Sequence, residues 1–342
     1  MTTRRQRLLD AFHYTGPDRI PVVYHPSTAG LHVHGQKLLD LFNQYPPDNQ
    51  ISFTALPAPP PEALDAQGRY HEVRRDEWGT EREFLIFGVA GYPRSYPFPD
   101  WAAAADYRFP PVPTVGSAAF AARQEEVRRQ RQEYLVVDGG LSLFERLHAL
   151  RPMEDVLIGL AEDDPHLLAF LDRLTQHWHA VLDLVLALEV DVVTFGDDWG
   201  GQDAPLVSPA LFRRVFKPRY QELMQRIRQA GRKVFLHCCG YVGPLLEDFF
   251  ELGIAGYWPQ ITRYDLDELS ARCREHRVAV YLHPDRQYLV PRGTPAEIEA
   301  IIREYAERYH RLGGGGIFYL EMENDAPWEN VRALIEAVHR YR

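Results

Sequence analysis

From about residue 134 onward, short apolar runs of strand type alternate with amphipathic runs of helix type. The strand-type runs are 134–138, 191–195, 233–238, 256–258, 278–283 and 316–320. Nearly continuous apolar strands are typical of a parallel sheet that is covered by helices. With an early strand at 20–24 and an eighth at 51–53, the pattern predicts an α/β fold, a (β/α)8 TIM barrel. A doubly wound open sheet is the alternative, although no G-x-G-x-x-G segment follows a strand.

The first third of the chain is less regular. Two proline-rich stretches flank a segment that predicts a β-hairpin around Trp78-Gly79. We therefore expect one barrel domain over 1–342. Its irregular N-terminal part, 1–133, carries the hairpin and early barrel elements, and 134–342 carries the regular β/α repeats.

Charge and composition exclude several classes of partner. Lys and Arg number 38 against 48 Asp and Glu, a formal net charge of −10, which argues against nucleic acid and anionic membranes. The most apolar stretch, 180–195, is too short and too charged to span a bilayer. Three cysteines, two of them adjacent, and the lack of a signal-peptide pattern predict a cytoplasmic protein. We expect a small-molecule substrate, and a homodimer is compatible with the sequence.

Active-site residues of parallel α/β folds lie at the C-terminal ends of the strands. At one such end stands His237-Cys238-Cys239. Because side chains alternate along a strand, His237 and Cys239 should share a face and Cys238 should point away. An imidazole nitrogen and a sulfur that converge on one point suit zinc. The alternative is a buried histidine among packed thiols.

Acidic residues stand at other strand ends. Glu321 and Glu323 alternate on the last strand, so either could complete a zinc site, and His283 at another strand end is a further candidate. For the two glutamates, a role in the following loop is equally open. Asp197 and Asp198 end an apolar strand, and Asp285 follows another; these three are candidate catalytic acids, bases or substrate-orienting groups. Capping of a neighbouring backbone is the alternative for each.

Several segments together resemble the uroporphyrinogen decarboxylase superfamily, and within it the decarboxylase-like proteins allied to corrinoid methyltransferases. The resemblance covers most of the chain. It is carried by DRIPV at 18–22, DEWG at 76–79, GDDWGGQ at 196–202, SPALFRRVFKP at 208–218, FLHCCG at 235–240, PLLEDFFELGI at 244–254, Gln287 with GTPAEI at 293–298, and DAPWENVRALIEAV at 325–338.

The resemblance implies a TIM barrel with its cleft at the strand C-termini. The methyltransferase relatives hold zinc with an H-x-C pair and a later cysteine, and the zinc activates a thiol that accepts a methyl group from a corrinoid. His237 and Cys239 match the pair, whereas Glu321 and Glu323 stand where the later cysteine is missing. Zinc is thus the expected metal, with a corrinoid supplied by a partner protein. Candidate substrate-binding residues, at strand ends or in the resembling segments, are Trp78, Trp199, Gln202, Gln260, Arg286 and Gln287.

Three hypotheses for the function follow. The first is a zinc-assisted, methyltransferase-like enzyme that acts on a thiol or a corrinoid-linked methyl group. The second is a metal-free decarboxylase of porphyrin biosynthesis, which would need cleft arginines such as Arg19, Arg263 and Arg286 to bind carboxylates. The third is a barrel that binds a ligand without catalysis.

Overall fold

The structure, a computed structural model, describes residues 2–51 and 55–342. Its strands, in chain order, are β1 (Val22–Pro26), β2 (Glu72–Arg75), β3 (Glu81–Phe84), β4 (Tyr92–Ser95), β5 (Val137–Leu141), β6 (Val192–Gly196), β7 (Lys233–Cys238), β8 (Gly256–Pro259), β9 (Ala279–Leu282) and β10 (Gly316–Met322). Seven of these form one parallel sheet in the order β1-β10-β9-β8-β7-β6-β5.

The order of the strands decides between the two predicted architectures. Neighbours in the sheet are neighbours along the chain, and the first strand pairs with the last, so the order has no reversal of the kind found in a doubly wound sheet. All seven strands contribute residues to the wall of one internal cavity, which means that the sheet curls around it. The predicted parallel sheet is confirmed. Of the candidate eighth strand at 51–53, residues 52 and 53 lie outside the described residues.

The predicted N-terminal hairpin is also present, with a third strand added. β2, β3 and β4 form a separate antiparallel sheet. At its first turn, the carboxylate of Asp76 accepts the backbone N–H groups of Trp78 and Thr80, each at 3.0 Å. Asp76 therefore satisfies the turn's free donors, which is a common use of aspartate in turns.

The helices lie between the strands, as the alternation predicts. They are α1 (Arg4–His13), α2 (Thr28–His34), α3 (Gln36–Gln44), α4 (Ala118–Gln130), α5 (Phe144–Leu150), α6 (Met153–Ala161), α7 (Pro165–Ala187), α8 (Pro209–Leu211), α9 (Lys217–Gln229), α10 (Leu246–Glu251), α11 (Leu266–Glu275), α12 (Leu289–Arg292), α13 (Pro295–Leu312) and α14 (Trp328–Tyr341). Proline occupies the first position of α7, α8 and α13, each after a capping side chain. In the described parts of the chain, no helix is long and apolar enough to cross a bilayer.

Two apolar cores lie on the two faces of the sheet. The larger core fills the space between the sheet and the surrounding helices. The smaller core lies inside the curl, where Leu8 and Phe12 of α1 pack near Val192, Phe235 and Ile317. Because α1 packs against this smaller core, the open part of the interior lies toward the C-terminal ends of the strands, where the candidate site residues are.

Candidate functional site

β7 presents His237 to the interior cavity, and the chain places Cys239 beside it. The Sγ atom of Cys239 lies 3.4 Å from Nε2 of His237. Cys238 is fully buried on the other side, where its sulfur accepts the backbone N–H of Trp199 at 3.3 Å. The two adjacent thiols therefore face opposite sides of the sheet, as alternation along the strand predicts.

The ring of His237 is oriented by the neighbouring strand. Nδ1 lies 3.1 Å from the backbone oxygen of Trp258. A carbonyl oxygen can only accept a hydrogen bond, so Nδ1 carries the proton and Nε2 keeps its lone pair. Burial lowers the pKa of His237, which favours this neutral form. A histidine held in this way by a backbone carbonyl is typical of metal-ligating imidazoles.

Asp198 completes a group of three potential ligands. Its Oδ1 atom accepts the backbone N–H of Cys239 at 2.7 Å and lies 3.3 Å from Nε2 of His237. One ligand atom from each of the three residues lies within 4.8 Å of the others. The lone pair of Nε2 and the carboxylate oxygen are two electron-rich atoms in near contact, an arrangement that a bound cation would relieve. The N, S and O donors are those that zinc accepts.

The thiol of Cys239 is held in its protonated form in the absence of a metal. Burial, together with the nearby carboxylate of Asp198, raises the pKa of Cys239 to about 11. A metal ion must displace this proton to bind the sulfur, because the thiolate is the ligand.

The predicted glutamate ligands are not part of this group. Glu321 forms an ion pair with Arg286, whose Nη2 atom lies 3.9 Å from Sγ of Cys239. The side chain of Glu323 is also outside the group, and its backbone oxygen is 3.2 Å from a ring nitrogen of His34. Among the described residues, the carboxylate beside His237 and Cys239 is that of Asp198. Glu321 and Glu323, the expected third ligands, therefore lie outside the group, and Asp198 is the third residue in it.

Asp197, predicted as a catalytic residue, has a structural position. Its side chain is fully buried and accepts the backbone N–H groups of Leu143 at 2.8 Å and Glu145 at 2.6 Å, as well as the hydroxyl of Tyr220. Burial raises the pKa of Asp197 to about 7. The carboxyl group binds the backbone at the start of α5 and faces away from the cavity. Its contacts are those of a residue that caps a neighbouring backbone, which was the alternative to a catalytic role.

Asp285 and the three predicted glutamines are likewise engaged in loops. Oδ1 of Asp285 accepts the backbone N–H of Gln287 at 2.7 Å and that of the next residue at 2.9 Å. The Gln287 side chain is exposed. Gln202 is exposed and accepts a hydrogen bond from Arg263 at 3.1 Å, and Gln260 accepts a backbone N–H of the loop after β7 at 3.1 Å. None of the four lies on the cavity wall that the structure describes.

Two predicted substrate-binding tryptophans are also part of the packing. Trp199 is fully buried and stacks on Phe144 at a centroid distance of 4.4 Å. Trp78 is buried with the guanidinium of Arg146 over its ring at 4.0 Å. Their large apolar rings account for these positions, because aromatic side chains contribute strongly to cores. Of the predicted substrate-binding residues, Arg286 is the one that reaches the potential metal ligands.

The cavity has a volume of about 690 Å³. Several of its ring-bearing residues were not predicted as site residues, among them His25, Trp258, Tyr281 and Tyr319. The signal that could have found them is the same alternation that selects His237. Trp258, Tyr281 and Tyr319 lie on interior-facing positions of strands that were predicted, and His25 directly follows the strand predicted at 20–24.

The solved structure of a methyltransferase from Methanosarcina mazei has the same fold, with a TM-score of 0.65 and 19% identity, over 100% of this chain and 99% of that chain. A 3-keto-D-glucoside 4-epimerase from E. coli matches with a TM-score of 0.34 and 14% identity, over 64% of this chain and 94% of the other. A dihydropteroate synthase from Xanthomonas albilineans matches with a TM-score of 0.29 and 19% identity, over 42% and 52%.

No curated protein sequence matches the chain. The sequence model of the family described as uroporphyrinogen decarboxylase (URO-D) does match, over residues 149–341. The matched region contains β6 to β10 and with them Asp198, His237, Cys239 and Arg286. Because this match extends over more than half of its length, the chain belongs to the uroporphyrinogen decarboxylase family.

Proposed function

We propose that this chain is a zinc-dependent enzyme of methyl transfer that acts on a thiol or a corrinoid-linked methyl group. The observation that carries the proposal is the convergence of Asp198, His237 and Cys239 within 4.8 Å of one another beside the cavity. The fold shared with the methyltransferase from Methanosarcina mazei is compatible with this activity. A corrinoid would be presented by a partner protein.

The three side chains would hold zinc through Oδ1 of Asp198, Nε2 of His237 and Sγ of Cys239. Zinc bound there would supply Lewis acidity that lowers the pKa of a bound thiol or water and so creates a nucleophile near neutral pH. Three protein ligands leave the fourth position of a tetrahedral ion for the substrate, which is the arrangement of catalytic zinc sites.

The surrounding residues set up this arrangement. The hydrogen bond between Nδ1 of His237 and Trp258 keeps the Nε2 lone pair directed at the group. The backbone N–H of Cys239 orients the Asp198 carboxylate. Arg286 brings a positive charge within 3.9 Å of the thiol, where it would favour the thiolate form of Cys239. Its ion pair with Glu321 fixes that charge in place.

The remaining features of the proposal concern the whole chain. We take 1–342 to act as one domain whose curled sheet belongs to a complete (β/α)8 barrel, in the cytosol, on a small-molecule substrate. These features rest on the strand order, the charge of −10 and the cysteine content.

Metal-free decarboxylation of a polycarboxylated tetrapyrrole has less support. Several carboxylates would need several guanidinium groups facing the cavity. On the described cavity wall, the arginine present is Arg123, and none of the three candidates Arg19, Arg263 and Arg286 lines it. Arg286 lies beside Cys239, where Glu321 already pairs with it. Arg263 instead donates to Gln202. Incubation with uroporphyrinogen, followed by chromatography of the products, tests this alternative directly.

Metal analysis of protein purified without a histidine tag tests the zinc site. We expect about one equivalent of zinc per chain after exposure to zinc and dialysis, as one such site requires. His237→Ala and Cys239→Ala should retain less than about a tenth of that amount, because each removes one of three ligands. Cys238→Ala is the matched control, since its thiol faces the helices. Wild-type protein that neither contains nor rebinds zinc would overturn the proposal.

Turnover separates the enzyme from a binding barrel. The zinc-loaded protein is mixed with methylcobalamin and 2-mercaptoethanol, and loss of the methylcobalamin absorbance is followed. We expect a rate above the protein-free reaction in the wild type and in Cys238→Ala, and none in Cys239→Ala. A protein that binds zinc without any such rate, with this or a cognate corrinoid protein as donor, would support the non-catalytic hypothesis instead.

A further inference from the structure

One side of the interior cavity is a continuous wall of aromatic rings. The rings of Tyr281 and Tyr319 stack at a centroid distance of 4.8 Å with 13° between their planes. Trp258 lies 4.3 Å from Tyr319 and 4.0 Å from His237, and Phe235 lies 4.4 Å from Tyr281. The wall therefore extends from the smaller core up to the potential metal ligand His237.

The strands at the other end of the sheet present small residues to the same cavity. On β5 and β6, the lining includes Gly140, Thr194 and Gly196. A Cβ atom placed on Gly196 or Gly140 would meet no other atom within 4 Å. Gly196 stands in register with His237 on the next strand. The interior is thus left open next to His237 because Gly196 and Gly140 carry no side chain at these positions.

The charge of the wall restricts what can occupy this space. The described lining residues include no aspartate, glutamate or lysine, and Arg123 is their single permanent charge. Arg123 already pairs with Asp138 at 3.4 Å, and Arg286, near Trp258, pairs with Glu321. An ionised group packed on this wall would therefore lose its hydration without gaining a counter-ion of its own. Its volume of about 690 Å³ is within the usual range for small-molecule sites, and a cavity of about 150 Å³ already holds benzene.

We infer that this cavity binds a neutral aromatic compound, whose ring packs on Trp258, Tyr281 and Tyr319 and whose reacting end lies at His237. Aromatic rings gain from offset-stacked or edge-to-face contact with other rings beyond the area they bury. The inference rests on the proposed function in one respect, since it makes this compound the substrate of the zinc group. Binding in the cavity does not itself require zinc, so the two ideas can fail separately.

Calorimetric titration with two probes of nearly equal size tests the chemistry of the wall. The probes are 2-naphthol and its saturated counterpart decahydro-2-naphthol. We expect 2-naphthol to bind at least about tenfold more tightly, because two or three ring contacts are lost in the saturated probe. The titration is made on protein with zinc and on protein treated with a chelator. Equal affinity for the two probes, or no binding of 2-naphthol, would overturn the inference.

Two substitutions locate the binding. Gly196→Val places a side chain in open space on a strand, where a branched residue is well tolerated, and should reduce 2-naphthol affinity by about tenfold or more. Tyr319→Leu removes a ring from the wall and should weaken binding by roughly threefold to tenfold, whereas Tyr319→Phe keeps the ring and the affinity. Thermal melting shows that each variant is folded.

Zinc content distinguishes failure of this inference from failure of the proposed function. Gly196→Val should retain zinc while losing 2-naphthol, since a Cβ atom at this position meets no atom within 4 Å and the three ligand residues are unchanged. Cys239→Ala should lose zinc and retain 2-naphthol. If Gly196→Val binds 2-naphthol as tightly as wild type, the compound binds elsewhere and the inference is wrong, whatever the zinc analysis gives.

Discussion

The ends of β6 and β7 carry pairs of like residues whose members face opposite sides of the sheet. Asp197 and Cys238 face the helices and are fully buried. Asp198 and Cys239 face the interior, and the Asp198 side chain is 39% exposed. Two carboxylates and two thiols, adjacent in sequence, are thus divided between a packing layer and a potential metal centre.

The difference between the two faces is one of hydrogen-bond partners. On the helix face, the oxygens of Asp197 receive fixed donors from Leu143, Glu145 and Tyr220, so the buried group is satisfied by the protein itself. On the inner face, Nε2 of His237 and Oδ1 of Asp198 lie 3.3 Å apart. The thiol and the backbone N–H of Cys239 reach these atoms, but the contact between the two acceptors still lacks a proton or a cation. Satisfied polar groups stabilise the fold, and incompletely satisfied ones are available for chemistry.

The largest expected effect is on stability, and it should differ between two tryptophans that lie on opposite faces of the sheet. Trp199→Ala should lower the free energy of unfolding by about 3–5 kcal/mol, because the ring is fully buried and a cavity remains. Trp258→Ala should cost less, about 1–2 kcal/mol, since its ring already borders a cavity. Urea unfolding measures both. The proposed difference between the two faces would be contradicted if Trp258→Ala were the more destabilised variant. It would also be contradicted if Trp199→Ala lost zinc while it remained folded.

The two aspartates should show a crossed pattern of effects. Asp197→Ala should lower the free energy of unfolding by about 2–4 kcal/mol, because it leaves two buried N–H groups and a hydroxyl without their acceptor. Asp198→Ala should lower the free energy of unfolding by less than about 1 kcal/mol, because the hydrogen bond that it removes is partly exposed. The same variant should lose most of the zinc. Unfolding and metal analysis are made on the same samples. Similar zinc contents in the two variants would contradict the assignment of faces.

The sequence was sufficient for the features that follow from repeating geometry. The period of two along β7 is enough to place His237 and Cys239 together, and the alternation of strands and helices is enough for the parallel sheet. The prolines that begin α7, α8 and α13 mark helix starts because proline fits that position. These features depend on residues that are close in sequence.

The roles of single side chains beyond the strand ends were not predictable in this way. Asp197 and Asp198 follow the last residue of β6, and the sequence states neither where that strand ends nor which of its residues face inward, so it leaves the division of the two carboxylates between the faces open. Glu321 is withdrawn from the metal group by Arg286, a contact between two different strand ends. The aromatic wall combines rings from separate strands whose register the sequence does not state.

Acid should destabilise the protein through its helix-facing layer. Nε2 of His339 lies 2.8 Å from the hydroxyl of Tyr24, and burial lowers the pKa of His339 to about 3. An unfolded histidine titrates near pH 6.5, so between pH 6.5 and 3 the unfolded chain binds a proton that the folded chain does not. Stability contributed by neutral His339 is therefore lost as pH falls through this window, by about 1–2 kcal/mol once partial exposure is allowed for.

The variant His339→Phe tests the origin of this pH dependence. It cannot take up the proton, so its unfolding free energy should fall less steeply between pH 6.5 and 4 than that of the wild type. His166→Gln, a change at an exposed histidine, should keep the wild-type slope. Equal slopes in all three proteins would mean that the loss of stability in acid arises from other groups.

The smallest expected effect concerns the glutamates of the last strand. Glu321→Gln and Glu323→Gln should change zinc affinity by less than about threefold, because neither carboxylate belongs to the ligand group and metal affinity follows the ligands. Asp198→Asn should weaken it by about tenfold or more, since an amide is a poorer ligand for zinc than a carboxylate. Competition with a chromophoric chelator measures all three. A loss of zinc in Glu321→Gln that matches Asp198→Asn would mean that Glu321 leaves Arg286 when metal binds, and that the inner face has two arrangements, with Asp198 and Glu321 as alternative ligands.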